Sequence, residues 1–141
     1  MQPIRINKNQ LLINDTYNSN VGSMIAAITV LNKITGYKLL ITGDMSELGC
    51  NSLLYHKKIG KIVNKTNIDQ IFTIGHFSKE ISNLHKKNKH FQKKRLLIDH
   101  VKKILIKNKK ITILIKGSRS EKMEIIVQAI LQDKKNVTIV N

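Results

Sequence analysis

Three short stretches carry the residues best suited to chemistry. "KGSRSEKME", which begins at Lys116, sets Lys116 and Arg119 around a glycine turn ahead of a helical pattern. An arginine fork grips a carboxylate or phosphate through paired hydrogen bonds, and free N–H groups at a helix start favour the same anions. Ser118 and Glu121 have the spacing of a capping box, so the turn also has a purely structural use. "GDMSELG" brings two carboxylates, Asp44 and Glu47, into one loop. They suit a magnesium ion or a substrate ammonium; equally, one can cap a helix while the other faces water. "NDTYNSN" holds Asp15, Tyr17, Asn18 and Asn20. A carboxylate there can accept from a ribose hydroxyl or position a magnesium-bound group, and each amide offers a donor and an acceptor. The same residues serve as turn and cap chemistry, and the local pattern leaves both readings open.

Other chemistries find no support. Neither G-x-G-x-x-G nor G-x-x-x-x-G-K-[ST] occurs, so the chain has no triphosphate-holding loop of its own. The histidines, at 56, 76, 85, 90 and 100, are scattered without ligand spacing, and no metal site is expected. Cys50 is the single cysteine, which excludes an internal disulfide and a thiolate zinc cluster. No serine or cysteine has a base spaced to activate it. Chemistry at these loops is therefore expected to be positioning and electrostatics rather than covalent catalysis.

The elements that must hold these loops follow one repeated form: a short β-branched run, a polar or glycine turn, then a helical stretch. Strands are expected at "QLLIND", "YKLLITGD", "IDQIFTIG", "LLID" (96–99) and "KITILIKG", with "NVTIV" (136–140) as an edge strand. Helical spacing joins Met24, Ala27, Ile28 and Leu31, with Gly36 as a stop, and then Tyr55, Ile59 and Ile62. A short helix is expected over 77–84, and further stripes join Val101, Ile104 and Leu105, then Met123, Ile126, Val127 and Ile130. Residues 85–95 read as an exposed basic connection. Strands alternating with helices, several of them apolar throughout, call for a mostly parallel α/β sheet with helices on both faces. Such sheets bind ligands beyond the carboxyl ends of their strands. "NDTYNSN", "GDMSELG", "IGHFS" and "KGSRS" all fall at such ends, so four loops are expected to converge on one rim.

A chain of 141 residues, 41% hydrophobic, fits one domain with one core. No run approaches the roughly 20 apolar residues of a membrane span, and "MQPIRINKNQ" lacks the apolar block of a signal peptide. A cytoplasmic setting without membrane insertion is expected. The net charge of +16 favours anionic partners. Yet the cations are 22 Lys against 3 Arg, spread widely, and aromatics make up only 4%. Base reading favours Arg forks and strand binding favours stacked rings, so nucleic acid is expected only as a non-specific partner.

Taken together, "LLINDTYNSNVGSMIAAI", "LLITGDMSELG", "HKKIG" and "ILIKGSRSEKMEIIVQAI", in this order, resemble the C-terminal domain of the Mur ligases, the peptidoglycan-building amide ligases. The resemblance runs from about residue 4 to residue 131 and points to the members that add D-alanyl-D-alanine. It implies a Rossmann-like three-layer domain, residues 1–141, from an enzyme whose N-terminal domain holds UDP-N-acetylmuramoyl-tripeptide and whose central domain carries the ATP phosphate loop. In such enzymes ATP, with Mg²⁺, phosphorylates the substrate carboxylate, and the dipeptide amine attacks the acyl phosphate. By resemblance Asp15, Tyr17, Asn18 and Asn20 are nucleotide-side contacts. Lys116, Ser118 and Arg119 lie near the dipeptide or reacting phosphate, and Asp44, Glu47 and His56 support the rim. The central and N-terminal domains are absent from these 141 residues, so the chain is expected to be inactive alone, as a piece of a longer ligase or the product of a split or truncated gene. A basic non-catalytic binding module, or a degenerate remnant, is the alternative.

Overall fold

The computed structural model describes residues 1–85, 87–132 and 138–140. Five strands lie parallel: β2 (Gln10–Asp15), β3 (Tyr37–Thr42), β4 (Gln70–Ile74), β5 (Lys89–Phe91) and β6 (Ile111–Lys116). β1 (Gln2–Asn7) runs antiparallel to β2 on one side and to β7 (Thr138–Ile139) on the other. The sheet order is β5-β4-β3-β6-β2-β1-β7. The helices are α1 (Val21–Asn32), α2 (Ser52–Asn64), α3 (Lys79–Ser82), α4 (Lys94–Lys107) and α5 (Glu124–Gln132).

Side-chain alternation along the strands builds the three layers. Leu12, Leu39, Ile41, Ile113 and Ile115 pack under α4 and α5, against Leu97, Val101, Ile126 and Ile130. Ile13, Leu40 and Leu114, their chain neighbours, point the other way, onto Met24, Ile28 and Leu31 of α1 and Ile59 of α2. Every residue of β6 is buried, as expected for a central parallel strand covered on both faces. Full burial of each such aliphatic side chain contributes about 1.5–3 kcal/mol. The two apolar layers clamp β2, β3 and β6 side by side, and these strands carry the rim loops.

Several expectations change. "LLID" is not a strand but lies inside α4. Leu97 is buried with Val101 and Leu105 at four-residue spacing, whereas Leu96 is exposed, so the helical period wins over a short apolar run. The basic stretch 85–95 is not all connection: Lys89–Phe91 pairs with β4 as an outer strand, with Phe91 buried. β1 was not foreseen; Ile4 and Ile6 alternate inward on a strand that also holds Pro3. α1 stops at Asn32, and Gly36, at φ +90°, turns the chain into β3 instead. The short helix narrows to Lys79–Ser82. Thr138–Ile139 forms the expected edge strand, while residues 136 and 137 lie outside the described residues.

Candidate functional site

β2 and β6 are neighbours in register, which sets Asp15 beside Lys116 across the pair. Lys116 is 1% exposed, and its Nζ donates to Asp15 Oδ2 at 2.9 Å and to the Asn18 carbonyl at 2.8 Å. A buried ammonium needs both a counter-charge and hydrogen bonds, and these two partners supply them. Sequence reasoning set Lys116 against a ligand. The structure instead turns it inward, where it ties the 15–18 loop down onto β6. It positions the rim rather than lining it.

The amides of that loop have local work. Asn18 Oδ1 accepts from the Ser19 N–H at 2.8 Å. Asn20 caps α1: its Oδ1 accepts from the Ser23 N–H at 2.8 Å, and the Ser23 hydroxyl accepts from the Asn20 N–H at 3.0 Å and donates to the Asn20 carbonyl at 3.2 Å. Such reciprocal caps contribute about 1 kcal/mol. Tyr17 is different. It is 77% exposed, and the Arg119 guanidinium carbon stands 5.9 Å from its ring centroid. This cation–π pair is the shared wall of two clefts. One, about 380 Å³, also takes in Asp15 and Glu124; the other, about 530 Å³, takes in Asn18, Ser46, Glu47 and Ser118. Glu124, Ser46 and Ser120 are lining residues that sequence reasoning missed, because nothing in their spacing sets them apart from helix-start and loop polar residues.

The turn after β6 departs from its expected form. Arg119–Glu121 makes one 3-10 turn, Lys122 takes φ +51°, and α5 begins only at Glu124. The Ser118 hydroxyl meets Ser120 Oγ at 3.0 Å and caps nothing, so the expected capping box is not built. Met123 packs against the bare backbone of Gly117, where a Cβ would run into its side chain. Gly117→Ala is expected to lower stability by about 1–3 kcal/mol through overpacking, read as a lower urea midpoint at unchanged m-value.

Asp44 organises the rest of the rim. Its carboxylate accepts three backbone N–H bonds from the loop after β4: His76 at 3.0 Å, Phe77 at 3.0 Å and Ser78 at 2.8 Å. The "IGHFS" loop thus belongs to the rim through Asp44, without lining either cleft. Gly75, at φ +123°, makes room for that carboxylate, since a Cβ there would sit 2.5 Å from Asp44 Oδ1. His56 is fully buried and holds the neighbouring residue. Its Nε2 accepts from the Met45 N–H at 2.9 Å and its Nδ1 faces the Ser52 carbonyl at 2.6 Å. A carbonyl only accepts, so the proton sits on Nδ1. Glu47, exposed and at φ +59°, is the member of this group that reaches a cleft.

Half-burial first, and the nearby Asp44 charge second, push the Glu121 carboxyl up, with Lys94 opposing. The native state therefore holds this proton more tightly than the unfolded chain. Its contribution favours folding below the unfolded value and is lost as pH rises through the raised one. Glu121→Gln is expected to raise the melting temperature slightly at neutral pH, with the gain disappearing below about pH 4.5. Solvent screening keeps the gain well under about 1 kcal/mol.

A family model described as Mur ligase, glutamate ligase domain, matches residues 1–119. The UDP-N-acetylmuramoyl-tripeptide–D-alanyl-D-alanine ligase of Buchnera aphidicola subsp. Acyrthosiphon pisum (strain APS) is 50% identical over 135 residues, covering 96% of this chain and 30% of that protein. The enzyme of that name from Escherichia coli (strain K12) is 42% identical over 131 residues, covering 93% and 29%. A crystal structure of MurF from Acinetobacter baumannii superposes with a TM-score of 0.82 at 31% identity, over 92% of this chain and 30% of that one. The chain thus spans about 30% of the length of the relatives it matches. With this match across the parallel sheet and the loops that form its rim, the chain belongs to the Mur ligase glutamate ligase domain family.

Proposed function

We propose that this chain is the closing, carboxyl-terminal domain of an ATP-dependent ligase that joins D-alanyl-D-alanine to UDP-N-acetylmuramoyl-tripeptide in peptidoglycan precursor synthesis. The observation that carries this reading is the Tyr17–Arg119 pair, open to two clefts, with Tyr17 on a loop already tied down by Lys116. The names of the relatives support the substrates. ATP supplies the phosphoryl group that activates the tripeptide carboxylate. This chain binds and orients. Asp15, Tyr17, Asn18 and Asn20 form its nucleotide side, with Tyr17 as the exposed contact. Arg119 and Ser118 face the dipeptide or the reacting phosphate, while Asp44, Glu47 and His56 hold the rim in shape.

The rim does not fit a magnesium site. Asp44 is engaged by three N–H groups and Asp15 by Lys116, and the described residues hold no group of three His, Cys, Asp or Glu able to hold a metal. Mg²⁺ enters this proposal only with the nucleotide, in the complete enzyme. The phosphate loop and the UDP-substrate site belong to the central and N-terminal domains, met in cis or in trans. Use of ATP assigns the chain to the cytoplasm, and no helix among the described residues is long and apolar enough to cross a membrane. The test mixes this chain with separately produced N-terminal and central domains and measures ATP- and dipeptide-dependent ligation. Activity well above that of those domains alone is expected; no gain sinks the proposal that the chain acts in trans.

A further inference from the structure

At the opposite end of the sheet from the rim lies a groove of about 460 Å³, a volume within the range of small-ligand pockets. It opens at the amino ends of β3, β4 and β5, beside the last turns of α4. Lys87, Lys89, Lys103 and Lys107 line it, and among the described residues no carboxylate does. Asp69, just before β4, accepts from the Lys38 N–H at 2.8 Å, and its charge reaches the Tyr37 wall of the groove without lining it. Between the lysines lie Tyr37, His100 and Ile104. The Tyr37 hydroxyl donates to Gln70 Oε1 at 2.9 Å, and Gln70 Nε2 donates to the Lys87 carbonyl at 2.6 Å, so ring and wall are fixed together. His100 is fixed as well: Nδ1 faces the Leu96 carbonyl at 3.0 Å, and the ring stands edge-on to Phe72 and Phe91.

Lysine-rich faces are common on a chain with 22 Lys, so charge alone marks nothing. This groove differs by joining four ammonium groups to an ordered ring-and-aliphatic surface in one concavity. A bare phosphate would use the lysines and leave that surface wet. A flat ring carrying phosphate would use both, with lysines acting as point charges toward the phosphoryl oxygens. We propose that this groove binds a nucleoside phosphate, free or at the end of an oligonucleotide, at a site separate from the rim.

The test is an amide-resolved NMR titration of the whole chain with AMP, with pyrophosphate and a short single-stranded oligonucleotide as parallel arms. AMP is expected to give saturable shifts at His100, Ile104 and Asn108, unchanged in Arg119→Ala, which alters only the rim. Reversing two lysines, Lys103→Glu with Lys107→Glu, is expected to weaken AMP about tenfold or more, the loss of one charged hydrogen bond. Both positions are exposed; if that variant misfolds, Lys87→Glu with Lys89→Glu gives the same reading. Binding undiminished by charge reversal, or shifts spread over every basic face, overturns the site. Pyrophosphate binding as tightly as AMP overturns the nucleoside assignment. A stronger response to the oligonucleotide than to AMP, on the same residues, identifies the strand end as the source.

Discussion

Asp44→Ala is expected to lower stability by about 3–5 kcal/mol, a fall in melting temperature of roughly 10–15 °C for a domain of this size. The substitution removes the acceptor for three backbone N–H groups at once. An unsatisfied buried donor costs about 1–3 kcal/mol. His76 is exposed and recovers a bond from water, whereas Phe77 is half-buried and Ser78 is buried, so the total stays below three full penalties. Asp44→Asn separates hydrogen bonding from bulk. With its oxygen placed as Oδ1, the amide keeps Phe77 and Ser78, but it sets an NH₂ donor against the His76 N–H. That variant is expected to lose about 1–2 kcal/mol. Thermal and urea unfolding of both variants checks the order. Equal losses, or an alanine loss under about 1 kcal/mol, would show that the carboxylate does not hold the loop.

Lys116→Met is expected to cost about 2–4 kcal/mol. Removing one partner of a buried pair typically costs about 3–5 kcal/mol. Asp15, at 16% side-chain exposure, regains part of its hydration here. The Asn18 carbonyl also loses its donor, so the 15–18 loop, with Tyr17 on it, loses its tether. A double-mutant cycle with Asp15→Asn should give a coupling of about 1–3 kcal/mol. In a complemented ligase, a positioning role predicts a raised KM for nucleotide together with lowered stability. A fall in kcat with stability intact would restore Lys116 as a direct phosphate contact.

The strands that build the rim were legible because burial on both faces demands continuous apolar runs, as in "ITILIK" and "YKLLIT". β5 was not, since "KHF" is three residues with a single buried apolar side chain. "LLID" misled because four apolar-rich residues fit either period, and only Val101 and Leu105 further along decide for a helix. At the rim, residue types pointed to loops that do meet there, but not to what each side chain does. That Asp15 and Lys116 are partners depends on β2 lying next to β6, a pairing across 101 residues that no local pattern encodes. The Asn20–Ser23 cap, by contrast, is written in three-residue spacing, and the cap reading offered for these amides holds at Asn20. Distance along the chain sets the limit.

Among the lysines of the described residues, Lys116 is the one a reagent in solution meets last, since its Nζ lies under the loop it holds. Amine acylation followed by mass spectrometry would mark exposed lysines within minutes and this one only when the loop lifts. Its slow labelling is thus a clock for opening of the rim, and a nucleotide that seats against Tyr17 should slow that clock further.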